Sequence, residues 1–133
     1  MREIPLGTKA TFTLRVKPEH LANRFKDPML PRVLATPVMI LFMENAALAA
    51  IRPYLDEGES AVGTAIDVRH LAATPVGMKV RAKATLLESD GKRYLFSVEV
   101  WDEKEKIAEG RHERFVVPDM EKFLARAMKK RAS

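Results

Sequence analysis

Two side chains in this sequence have the type and setting for proton transfer, and both belong to apolar surroundings. Glu44 stands with Asn45 in a run from Val38 to Ile51 that is otherwise apolar throughout. A carboxylate carried into a dry interior loses hydration and must find a donor, take up a proton or be retained for chemistry. Two readings follow: a base with a raised pKa, or an architectural Glu tied to a backbone amide or to Asn45. His70 is the second candidate. Residues Ser60 to His70 alternate, and His70 shares a face with Val62, Thr64, Ile66 and Val68. If that face packs on the apolar run, the imidazole at the strand's end points toward the element that carries Glu44. A hydrogen-bonded core histidine and a proton shuttle are both open to it.

The elements that must position these groups are legible from pattern. The stretch Thr36 to Leu55 reads as a helix, with Thr36 as N-cap and Pro37 at the first helical position, where no donor is needed. Its apolar residues go all the way round, so the expectation is a buried core helix wrapped by sheet. Glu44 and Asn45 in mid-run, and Arg52 and Pro53 at its close, argue against a membrane span.

Before it, Thr8 to Lys17 alternates with Phe12, Leu14 and Val16 on one side, a half-buried strand ended by Pro18. From Glu19 to Ala35 no period is clean, and Pro28 and Pro31 break it. A short helix or covering loop is expected there.

After the helix, the strand Ser60 to His70 is followed by three more: Met78 to Ser89, Tyr94 to Asp102 and Ile107 to Val117. Asp90-Gly91 marks a hairpin turn between the first two of these. An amphipathic helix, Met120 to Lys130, closes the chain with Phe123, Leu124, Ala127 and Met128 on its inner side. Strand, buried helix, then four strands describes an α+β protein of the hotdog type: an antiparallel five-stranded sheet curled round one long helix.

Composition narrows the function. The 133 residues make one domain, 1–133, with 47% hydrophobic and 31% charged residues. With no Cys, thiolate catalysis, disulfides and Cys-based metal sites are excluded. His20, His70 and His112 lie on separate elements without ligand spacing, so no metal is expected. The net charge of +5 sits largely in the tail, at Lys122, Arg126, Lys129, Lys130 and Arg131. No aromatic-interleaved basic stripe accompanies it, so a solvated helical face is expected, with no nucleic acid partner. No signal segment or membrane span is read, and a cytoplasmic address is the default.

Several runs carry a family resemblance: Val33 to Ala46, Pro53 to Ser60, Gly63 to Gly77, and Gly110-Arg-His-Glu-Arg114. Together they resemble the fluoroacetyl-coenzyme A thioesterase family of hotdog enzymes, continuously from about Val33 to Val117. The resemblance implies that Thr36 is nucleophile or water-orienting hydroxyl, Glu44 the activating carboxylate and His70 the acid/base partner. It also implies that the backbone of Gly63, from a neighbouring subunit, helps hold a water or oxyanion between two chains. Where the family has an aromatic lid residue, this chain has Leu30 before Pro31. A looser lid of that kind implies other short or medium acyl chains. Arg114 is read either as a contact to coenzyme A phosphates or as an exposed ion pair with Glu113 or Glu99; His112 is read as structural.

Within one helix, eight positions put Thr36 and Glu44 roughly 12 Å apart along the axis, so they do not touch directly. Thioester hydrolysis needs a base near neutral pH and amide donors for the oxyanion, which a desolvated Glu and a helix N-terminus supply. The expected function is thus hydrolysis of an acyl-coenzyme A, with no cofactor beyond the coenzyme A of the substrate. A hydratase or dehydratase acting on an enoyl thioester and a non-catalytic acyl-CoA-binding module remain as alternatives. A symmetric homodimer is expected, since one sheet wrapped on one helix leaves an edge open.

Overall fold

The computed structural model describes residues 1–132; Ser133, the last position of the expected domain, lies outside the described residues. Strand β1 (Lys9–Arg15) leads through a 3-10 turn and the one-turn helix α1 (Ala22–Phe25) to the long helix α2 (Thr36–Ile51). Strands β2 (Ser60–His70), β3 (Lys79–Ser89), β4 (Arg93–Trp101) and β5 (Lys106–Val117) follow, and then α3 (Met120–Ala132). All neighbours pair antiparallel in the order β1-β3-β4-β5-β2, so β1 and β2 are the two edges. This is the hotdog arrangement that the order of elements predicts.

Helix α2 lies chiefly over β1 and β3, less over β4 and only lightly over β5 and β2. Small residues meet there: Ala46, Ala47 and Ala50 of the helix, and Ala82 and Ala84 of β3, are all buried. They let helix and sheet approach closely. Met39, Phe42, Met43 and Ile51 fill the space on either side, with the Phe42 ring 5.7 Å from that of Phe12. Burying a side chain of that size stabilises by about 1.5–3 kcal/mol. Overpacking by Ala46→Leu costs about 1–3 kcal/mol.

The helix is not buried all round, as its composition suggests. Leu41 is 51% exposed, and Pro37 and Ala49 are exposed as well. The reason is the offset of α2 toward one half of the sheet, which leaves its other side and the inner face of β2 without cover from this chain.

Two local corrections bear on the site. Thr36 is the first helical residue and not the cap: Ala35 occupies the N-cap with no side-chain bond, and Pro37 follows at the second position. The Thr36 hydroxyl is therefore released from capping. In β2 the pairing with β5 shifts between Gly63 and Ala65, so Thr64 is an inserted bulge residue. Because side chains alternate, one extra residue flips the face. Ile66, Val68 and His70 share the side of Ala108, Gly110 and His112, as expected, but before the bulge it is Ala61 and Gly63 that face inward, opposite Val116 and Arg114.

Helix α3 departs most from expectation. Phe123, Leu124 and Met128 do not pack inward but are 48%, 58% and 47% exposed, and every residue from Met120 to Arg131 is exposed. Pro118 ends β5 beyond the sheet, and the helix starts with Met120 N–H donating to the Gly58 carbonyl at the far end of β2.

Candidate active site

The position of Thr36 is fixed by the irregular segment before it. Leu34 N–H donates to the Thr74 carbonyl and Ala35 N–H to that of His20. Thr74 is fully buried, and its hydroxyl donates to Asp102 at 2.9 Å. The loop after β2 is also held from the sheet, where Leu71 and Ala72 both donate to the Ile107 carbonyl. These anchors bring the end of β2 to the start of α2. There Thr36 Oγ1 and His70 Nδ1 lie 2.8 Å apart, a hydrogen bond.

His70 Nε2 is buried and has no hydrogen-bond partner. Burial lowers the pKa of the ring, offset in part by the backbone at Ala72, so the imidazole is neutral at neutral pH. A neutral ring bonded to a hydroxyl is the arrangement of a base and the group it activates. The first-turn amides of α2, at Thr36 and Val38, have no partner inside the helix and carry its positive end. A groove of about 460 Å³ opens on this pair. Leu30, Val33 and Leu71 give it apolar walls, and Lys26 lies among its lining residues.

Glu44 lies elsewhere. It is half-buried and lines a second crevice, of about 360 Å³, with Gly63, Thr64, Ala65, Ile66 and His112. The imidazole near it in this chain is that of His112, whose pKa the Glu44 charge raises against a larger lowering by burial. His112 Nδ1 bonds the Ala65 carbonyl at 2.9 Å, which requires the proton on Nδ1. Nε2 is then the acceptor for Arg114 Nη1 at 3.1 Å. Arg114 Nη2 donates to the Ala61 carbonyl at 2.7 Å, while its buried Nε has no partner.

Arg114 is thus neither exposed nor paired with Glu113 or Glu99. Glu113 pairs with Arg93, and Glu99 with Lys83 and Lys106. The two inward side chains of β5 hold the β2 backbone on either side of the bulge, and a Cβ at Gly63 would come 3.2 Å from His112 Cε1. Only a residue without a side chain fits there without moving the ring.

Within this chain, then, Thr36, His70 and Leu30 share one groove, while Glu44, Gly63, His112 and Arg114 cluster at another place. The inward setting of His112 and Arg114 could have been read from the alternation Ala108, Gly110, His112, Arg114, which puts both on the side of a core alanine. Lys26 had no such signal, because its segment has no period. Among the described residues no cluster of His, Asp and Glu could hold a metal ion.

The family model described as fluoroacetyl-CoA-specific thioesterase matches residues 16–120. The chain belongs to this family. It is 43% identical over 100 residues to the fluoroacetyl-CoA thioesterase of Streptantibioticus cattleyicolor, covering 75% of this chain and 71% of that protein. Among solved structures, that of the fluoroacetyl-CoA thioesterase FlK superposes with a TM-score of 0.92 at 35% identity, covering 97% of this chain and 98% of the other. A Thermus thermophilus hypothetical protein of the thioesterase superfamily superposes at 0.89 with 36% identity, covering 98% and 97%. No helix among the described residues is long and apolar enough to cross a membrane.

Proposed function

We propose that the protein is an acyl-CoA thioesterase that hydrolyses short or medium acyl-coenzyme A, with no cofactor beyond the coenzyme A that the substrate carries. The observation that carries the reading is the Thr36–His70 hydrogen bond at the mouth of an apolar groove. His70 takes a proton from the Thr36 hydroxyl or from a water that the hydroxyl orients. The new C–O bond forms at the thioester carbonyl while the oxyanion faces the first-turn amides of α2. The C–S bond then breaks, and the thiolate takes up the proton; where Thr36 itself attacks, a water deprotonated by His70 then cleaves the acyl ester, releasing the acid and restoring the hydroxyl. Leu30 in the groove wall, smaller than an aromatic lid, leaves room for acyl groups other than fluoroacetyl.

The working unit is a homodimer joined along the open edge of β2. That strand is long and unpaired on one side, and its residues Gly63 to Asp67 are exposed on both faces. Pairing two such edges brings the Gly63, Glu44 and Arg114 cluster of one chain toward the Thr36–His70 pair of the other, which supplies the carboxylate that the pair lacks within its own chain.

Thiol release from a panel of acyl-CoAs tests the reading. Turnover above background is expected for wild type, with Thr36→Ala and His70→Ala severely impaired. Wild type without turnover on any acyl-CoA, or variants at the wild-type rate, would defeat it.

A further inference from the structure

The groove of about 540 Å³ along α3, larger than the one at Thr36 and His70, has no part in the chemistry above. Its base is Val117 and Pro118, Phe123 and Ala127 form an apolar row, and Lys122, Arg126 and Lys130 lie beside them at spacings of four. Spacings of four put the cations on one helical face. Among the described residues neither Lys122 nor Arg126 has an anionic partner. Asp119, the carboxylate in the groove, caps the helix by accepting from Lys122 N–H at 3.1 Å.

A flat apolar wall beside a row of cations fits a ligand that joins an aromatic base to several phosphates. The nucleotide end of coenzyme A is such a ligand. We propose that the α3 groove binds the adenine and phosphates of acyl-coenzyme A, and that it does so for the site of the partner subunit.

Position is the reason for the second half of that statement. Helix α3 starts beside Gly58, at the Ser60 end of β2, whereas Thr36 and His70 lie at its other end. Eleven residues of strand separate them by about 35 Å within one chain. Antiparallel self-pairing of β2 over its length sets Ser60 beside the partner's His70. The root of α3 then stands at the mouth of the partner's groove, where Lys26 supplies a further cation. This rests on the thioesterase reading and on the dimer.

The test pairs Lys122→Glu/Arg126→Glu with two substrates that carry the same acyl group, one on coenzyme A and one on pantetheine, which has no nucleotide. KM for the coenzyme A substrate is expected to rise at least about tenfold with kcat nearly constant, while KM for the pantetheine substrate stays put. A heterodimer of the reversed chain with a His70→Ala chain locates the contribution. Its one live site sits in the reversed chain and faces a native α3, so a wild-type KM is expected.

Equal effects on both substrates would mean that α3 packs against a second copy and holds no nucleotide; no effect, or a heterodimer that keeps the raised KM, would also overturn the proposal. If wild type hydrolyses neither substrate, it is the thioesterase reading that fails. Calorimetry with adenosine 3′,5′-bisphosphate still decides the groove: binding lost in the reversed chain supports it, and no binding to wild type overturns it.

Discussion

The two ends of the inner sheet face hold opposite kinds of polar cluster. At Thr36 and His70, a hydroxyl meets an imidazole whose other nitrogen is unpartnered, beside an open groove. At His112 and Arg114, imidazole and guanidinium bond each other and two strand carbonyls, leaving only Arg114 Nε unpartnered among these groups, with Glu44 nearby but bonded to neither. The first cluster opens on a groove, and the second is tied to the strand backbone. This chain keeps the two clusters apart and leaves the edge of β2 unpaired. The comparison teaches that a buried histidine is assigned by what its two nitrogens touch and not by burial, since burial lowers the pKa of both rings.

The largest expected effect comes from breaking the first cluster. If His70 is the base, as proposed, His70→Ala removes it while Thr36 keeps its place on α2, and loss of general base catalysis is typically about 10²–10⁴ in rate. The expected result is a kcat lower by that range with a thermal midpoint near wild type. A rate within fivefold of wild type would put the chemistry elsewhere. Next is Glu44→Gln, which keeps shape and removes charge. If the carboxylate serves the partner's site, kcat falls about a hundredfold with stability unchanged or improved, because no hydrogen bond or ion pair is lost. A drop in thermal midpoint with an intact rate would instead make Glu44 a structural residue.

Gly63→Ala sharpens the comparison from the side of the second cluster. The added carbon lies 3.2 Å from His112 Cε1, a fixed ring, so the bulge or the imidazole must shift by a few tenths of an ångström. A cost of about 1 kcal/mol is expected in chemical denaturation. If the Gly63 backbone serves the site of a partner subunit, as proposed, the rate should fall as well. Pairing the change with His112→Ala, which removes the ring, should recover much of the strain. Two losses that simply add would show that ring and glycine are independent.

How much of this was legible in the sequence follows from which residues had a pattern. Strand β2 was readable to its ends, because alternation from Ser60 to His70 is clean; the bulge at Thr64 was not, since an inserted residue between two small ones leaves no mark in hydropathy. Helix α2 was placed from Pro37 and the apolar run, but its open side was hidden, because apolar composition does not say whether the cover comes from the same chain. The same blindness put Phe123 and Leu124 inside. The residue type of Thr36 suits a cap, yet the backbone gives that position to Ala35 and leaves the hydroxyl to His70. The pairing of these two residues was legible only through family resemblance. No local rule brings positions 34 apart in sequence to 2.8 Å.

The smallest effect expected is on stability against pH, and it bears on both clusters at once. The folded pKa of His70 and that of His112 lie below the ordinary imidazole value, chiefly because burial disfavours the charged ring. The folded state therefore binds fewer protons than the unfolded chain as the solution is acidified through about pH 6.5, and stability is lost with falling pH. Above that pH both rings are neutral in either state, and the histidine contribution is flat. Denaturant midpoints measured from pH 7 to pH 5 should thus fall with acidification.

The two rings can be told apart by substitution. His112 must present an acceptor to Arg114, so a second proton there breaks a buried contact and sets a guanidinium against an imidazolium. At His70 the cost is desolvation of a half-exposed ring. Removing His112 should flatten the acid limb more than removing His70 does. The reverse order would mean that the Arg114 contact survives protonation, and that the cluster tied to the strand backbone is the one that yields.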